Sequence, residues 1–171
     1  MTRFRSTEAA QIADTLFANA EDLQRQPVSA RLQVYHLMDT LLSQHRAALI
    51  KTGNEFIDGF TTLAAMEKDP RNLMIVFSVL QVIMVEWDIS QRVDLLWEAA
   101  IKYFPITFRT KPDDPIGITA DDLKMRLRHC IAASGLFAPL AFPLLIQKLD
   151  DQATPNVRVS VEIILDVIVS Y

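Results

Sequence analysis

The sequence predicts an all-α protein. Three observations carry that prediction: apolar residues recur at helical spacing along most of the chain, glycine and tyrosine are scarce at four and three residues, and the breaks between periodic segments hold helix-start and helix-stop chemistry. With 171 residues, half of them apolar, the chain is long enough to bury a substantial core in one ordinary domain.

Ser6 and Thr7 precede a first helix expected to run to about Gln24. Pro27 then stops it and can open the next, because a helix start does not need the N–H that proline lacks. In the second helix Val34, Leu37, Met38, Leu41, Leu42, His45 and Leu49 fall on one face, and Gly53 suits the left-handed position that follows a helix end. A third helix is expected over 54–68, with Phe56, Ile57, Phe60, Leu63 and Ala64 on one side.

Asp69 can cap the fourth helix, with Pro70 in its first turn. The segment that follows, to about Glu86, is apolar nearly all round and so needs neighbours on more than one side. Asp88 and Gln91 have the spacing of a capping box before the stripe Val93, Leu96, Trp97, Ala100, Ile101 and Phe104. A proline-bearing loop covers 104–119. Thr119 and Asp122 then form a second capping-box pattern, Ile118 and Leu123 can staple the first turn, and Leu123, Leu127, Cys130, Ile131 and Ser134 share a face that ends at Gly135.

The last pair is expected from about Phe137 to Leu149 and from about Asn156 to Ser170. Val157, Val159, Val161, Ile163, Leu165, Val167 and Val169 alternate as in a half-buried strand. The segment is nevertheless assigned to helix, because it is long for a strand and Val157, Val161, Ile164, Leu165 and Ile168 also meet the helical spacing.

One plan is visible twice, in "FIDGFTTLAAMEKDPRNLMIVFSVLQVI" and "LAFPLLIQKLDDQATPNVRVSVEIILDVI": apolar helix, acidic turn with proline, second apolar helix. Four helical hairpins follow, at 6–51, 54–87, 88–134 with the inserted loop 104–119, and 137–171. Hairpins of roughly forty residues stacked in order resemble a HEAT-type α-solenoid, which implies a right-handed superhelix in which each neighbour covers a face that one hairpin cannot bury alone. The final helix is among the most apolar of the set. The chain is therefore expected to be part of a longer stack, and the isolated chain to pair as a homodimer through that C-terminal helix.

Charge and chemistry exclude several functions. The formal net charge is −4 with both signs mixed, so no footprint for a nucleic-acid backbone is expected. No run is long and apolar enough to predict a membrane span, since "LMIVFSVLQVIMV" is short and carries Ser78 and Gln81; the first residues lack a secretory pattern. A single cysteine, Cys130, fits a reducing compartment, cytosol or nucleus, and on its helix stripe reads as a small buried hydrophobe. His36, His45 and His129 are scattered; His45, on an apolar face, is expected to be a hydrogen-bonded structural histidine. Asp113–Asp114, Asp121–Asp122 and Asp150–Asp151 sit in loops or first turns, where aspartate serves local hydrogen bonds. No catalytic, cofactor-binding or metal-ligating residue is expected, and the chain is predicted not to be an enzyme.

Two motifs carry a resemblance: "EKDPRNL" at Glu67–Leu73, and "YFPITFRTKPDDPIGITADDL" at Tyr103–Leu123 followed by "LFAPLAFPLLIQKLD" at Leu136–Asp150. In order and spacing they resemble the N-terminal region of the MMS-nineteen DNA repair and transcription family, from about Pro27 to Asp150. The loop departs from that pattern at Thr107 and at Arg109, Thr110 and Lys111. The resemblance implies a non-enzymatic scaffold, cytoplasmic and nuclear, that hands iron–sulfur clusters to apo-proteins of repair, replication and transcription such as helicases and polymerases. It implies iron–sulfur assembly factors as further partners.

Candidate partner-binding residues are Phe104, Pro105, Phe108, Pro112, Asp113, Asp114, Pro115 and Gly117. Two readings stay open for this loop: its aromatics cover the chain's own core, or it is a docking element. Asp69, Pro70, Arg71, Asn72, Asp150, Asp151 and Arg158 are assigned to structural turns, with an aspartate–arginine ladder expected along adjacent turns. Trp87 and Trp97 are expected to pack between repeats, or to anchor a partner where their rings reach the surface. A transport or regulatory module of the same architecture, or a spacer without client contacts, are the alternative functions.

Overall fold

The computed structural model describes residues 6–106, 117–150 and Asp166, and within them the side chains other than those of Ser6 and 148–150. All regular structure among these residues is helical: α1 (Ser6–Ala18), α2 (Ala20–Gln24), α3 (Val28–Ile50), α4 (Asn54–Leu63), α5 (Pro70–Glu86), α6 (Val93–Ile101), α7 (Ala120–Ile131), a 3-10 turn (Gly135–Phe137) and α8 (Ala138–Asp150). The all-α expectation holds. The chain divides into two compact units, Met1–Arg92 and Val93–Tyr171.

In the first unit α1 packs against α3 and α4, α2 against α4, and α3 against α5. The core is filled by Tyr35, Met38, Leu41, Leu42 and Leu49 of α3, Phe56, Ile57 and Phe60 of α4, and Val76, Phe77, Leu80 and Ile83 of α5, all essentially inaccessible. Each such side chain contributes about 1.5–3 kcal/mol relative to leaving it in water. An aromatic column crosses this unit: Phe17 meets Phe56 edge-on at 5.4 Å, and Phe56 stacks on Trp87 at 5.1 Å. Gly59 allows the column to form, because a Cβ there would overlap the Phe17 ring.

Where the structure differs from the sequence reading, a side chain has taken a backbone group or a longer-range partner. The first helix breaks at Asn19, whose amide donates to the Thr15 carbonyl at 2.7 Å and so competes with the helical ladder. The third expected helix stops at Leu63 rather than continuing to Lys68, because the backbone N–H groups of Lys68 and Asp69 turn toward the Glu67 carboxylate, each at 2.9 Å. Asp88 and Gln91 do not form a capping box. Asp88 accepts from the Ser90 N–H at 3.1 Å in a local turn, Gln91 accepts from Asn54 at 3.0 Å, and α6 starts only at Val93.

His45 interrupts α3 with φ −132° and ψ 24°, and among the described residues its buried Nε2 has no hydrogen-bond partner, contrary to the expectation of a bonded structural histidine. Gly53 has a positive φ, 59°, but with ψ −130° it directly precedes α4 and does not take the left-handed helix-end conformation expected after α3, whose C-cap is Lys51. Asp69 caps α5 as predicted, accepting from the Arg71 N–H at 3.0 Å with Pro70 in the first turn.

In the second unit α6 packs against α7, and the 3-10 turn against α6 and α8. Thr119 and Asp122 make the complete capping box: Thr119 Oγ1 accepts from the Asp122 N–H at 3.1 Å while Asp122 Oδ2 accepts from the Thr119 N–H at 2.8 Å. Leu123, Leu127, Cys130 and Ile131 are buried along one face of α7. Gly135 does not end α7, which stops at Ile131; it opens the 3-10 turn, capped by Ser134. The valine-rich segment whose periodicity was ambiguous lies outside the described residues, apart from Asp166, which is helical.

Candidate interaction surface

The most elaborate polar arrangement in the first unit is built on Glu67. Its carboxylate is fully buried, and it receives hydrogen bonds from Arg31 Nε to Oε2 at 2.9 Å, Arg31 Nη2 to Oε1 at 3.0 Å, Asn72 Nδ2 to Oε2 at 2.9 Å, and the N–H groups of Lys68 and Asp69 to Oε1. Burial alone pushes this carboxyl up. The bonds from Arg31, Asp69, Asn72 and Lys68 outweigh it and bring the group down to about 2, so the charge persists at neutral pH. Arg31 also donates to the Gln26 carbonyl at 2.7 Å, so one guanidinium joins the turn before α3 to the turn before α5.

Beside it, Asp69 pairs with Arg71 through both carboxylate oxygens, at 2.8 and 2.9 Å. The Arg71 guanidinium holds the Asp69 carboxyl below its usual range. On the described residues Asp69 and Arg71 pair within one turn, and Glu67 and Arg31 make a bond between turns; the other members of the expected aspartate–arginine ladder, Asp151 and Arg158, lie outside the described residues. Geometry explains the two pairings. Arg71, two residues after Asp69, reaches it without leaving the first turn of α5, whereas Glu67 lies inward, facing α3.

A second regularity connects the helices of this unit. Gln24 donates to the Thr62 carbonyl, Arg31 to Glu67, Arg46 to Glu86, Asn54 to Gln91 and Arg92 to Asp58, and the partners are 38, 36, 40, 37 and 34 residues apart. The bonds occur near matching ends of elements: Arg31 and Glu67 near the starts of α3 and α5, Arg46 and Glu86 near their ends. Thus α3 and α5 run parallel, and the ends of α2 and α4 are joined by Gln24 and Thr62. This is the stacking of successive helical hairpins in an α-solenoid. In the second unit Arg128 of α7 pairs with Asp166 at 2.7 Å, a separation of 38 in the same range.

Several of the sequence-predicted site residues can be placed. Phe104 and Pro105 are half-buried beyond the end of α6, and Gly117 is exposed with φ 68°. Phe108, Pro112, Asp113, Asp114 and Pro115 lie outside the described residues, as do Asp151 and Arg158. Asp150 is the last residue of α8. Asn72 is completely buried against Glu67. Trp87 is buried on Phe56, which removes it as a surface anchor; Trp97 is half-buried, 5.9 Å from the Phe137 ring. Cys130 is buried, as its place on the helix stripe predicted.

Sequence reasoning missed Arg31, Glu67 and Gly59. For Arg31 and Glu67 a signal existed: opposite charges one hairpin length apart, the acid lying in the turn after an apolar helix. Large apolar side chains are exposed at Met66 and Val85 in the first unit and at Met125, Leu136 and Ile146 in the second. With the exposed Pro139 and Pro143, Ile146 lies on one side of α8, and Leu136 of the 3-10 turn precedes them at helical spacing.

Comparison with known proteins places the chain in a family. The family model described as Dos2-interacting transcription regulator of RNA polymerase II, for the N-terminal region of MMS19 proteins, matches residues 1–171. The DNA repair/transcription protein mms19 of Schizosaccharomyces pombe is 32% identical over 151 residues, which is 87% of this chain and 15% of the relative. The MMS19 nucleotide excision repair protein homologs of Danio rerio and Homo sapiens are 36% and 34% identical over 72% and 76% of this chain, and 12% and 13% of their own lengths. The chain thus spans about 12 to 16% of the length of the relatives it matches. On the strength of a match along all 171 residues and of these identities, the chain belongs to the MMS19 N-terminal family.

Proposed function

We propose that this chain is a HEAT-type segment of a non-enzymatic scaffold, and that it serves DNA repair and transcription by presenting stacked hairpins to other proteins. The observation that carries this reading is the family match along the whole chain, since the relatives bear repair and transcription names. The polar bonds at 34–40 residue separation support it, because they hold neighbouring hairpins in register and leave their outer sides for recognition.

At the finer level, the scaffold hands iron–sulfur clusters to apo-proteins such as helicases and polymerases, in company with iron–sulfur assembly factors, in cytoplasm and nucleus. The clusters are cargo, and the segment holds no resident cofactor. Client recognition is assigned to the loop carrying Phe104, Pro105, Phe108, Pro112, Asp113, Asp114, Pro115 and Gly117. In isolation, the segment pairs through its C-terminal helix.

Affinity capture tests this with the wild-type chain and a variant in which Asp113, Asp114 and Pro115 are each replaced by glycine. The wild type is expected to recover assembly factors and iron–sulfur helicases, and the variant to lose selected clients at unchanged thermal stability. Recovery of peptides or other proteins with no iron–sulfur component would overturn the cargo assignment in favour of a transport or regulatory module. Equal client recovery by both chains would move recognition out of the loop.

A further inference from the structure

We draw no further inference here: the strongest candidate, the exposed apolar stripe of Leu136, Pro139, Pro143 and Ile146 along the 3-10 turn and α8, carries nothing because no feature of the structure shows what covers it.

Discussion

Replacing Arg31 with methionine isolates the contribution of the buried Glu67 carboxylate. Methionine keeps an unbranched apolar stem in place and removes the guanidinium, which donates to both carboxylate oxygens of Glu67. The fall of the Glu67 carboxyl from 4.5 to about 2, at about 1.4 kcal/mol per pH unit, corresponds to on the order of 3 kcal/mol of stability at neutral pH. Breaking a buried pair from one side costs about 3–5 kcal/mol, so a loss of about 3 kcal/mol is expected for Arg31→Met, with Asn72 and two backbone N–H groups still bonded to the acid. Urea unfolding at pH 7 followed by circular dichroism would show it as a midpoint lowered by roughly 1–2 M.

The sign of the pH dependence is a sharper check than the size of the loss. Because the folded value is depressed, the contribution is fully present above pH 4.5 and is lost as pH falls toward 2. The gap between wild type and Arg31→Met should therefore close on acidification, since a neutral Glu67 no longer needs the guanidinium. In the cycle with Glu67→Gln, the double variant should lose less than the two single losses added together, by about 1–2 kcal/mol. A gap at pH 7 below about 1 kcal/mol, or one that stays constant from pH 7 to pH 3, would refute the reasoning.

Three other substitutions separate backbone, steric and capping effects. Gly59→Ala should cost about 1–3 kcal/mol because the new Cβ meets the Phe17 ring, and Phe17→Leu in the same chain should recover part of that loss in thermal unfolding. Gly53→Ala meets no atom within 4 Å and should still cost about 1–2 kcal/mol in the same melt through its backbone alone, because φ 59° with ψ −130° is a combination that only glycine enters readily. Thr119→Ala should lower stability by about 1 kcal/mol through the lost cap. The Thr119 hydroxyl and backbone N–H hold the Asp122 carboxyl below its usual range, so the Thr119→Ala deficit should be full above ordinary carboxylate pH and shrink as pH falls through the depressed value.

Local chemistry was legible in the sequence; partner choice was not. Asp69 with Pro70 and Thr119 with Asp122 were found because the residue that satisfies each helix end lies within four positions of it. The same reasoning failed at Asp88 and Gln91, where the spacing is correct but Gln91 is occupied by Asn54, 37 residues earlier. It also failed at the end of α4, where a helix extrapolated through Ala64 and Ala65 gave way to a turn shaped around the Glu67 carboxylate. Gly59 was invisible for another reason: a glycine inside a helix states that something comes close, without naming it, and here the neighbour is a ring on α1.

The polar pairings that sequence reasoning missed, Gln91 with Asn54 and Glu67 with Arg31, share a length scale. A polar residue near a hairpin end has two classes of partner, the helix end beside it and the corresponding end of the next hairpin, and the second class lies 34–40 residues away in the first unit. That range is the length of a hairpin, since residues at matching positions of stacked hairpins are one hairpin apart along the chain. Opposite charges at this offset are therefore evidence of stacking that needs no apolar periodicity to be seen. The Arg128–Asp166 pair in the second unit has a separation within the same range. Asp166 belongs to the stretch where apolar spacing left helix and strand unresolved, and at that residue the charge offset and the observed helical backbone agree.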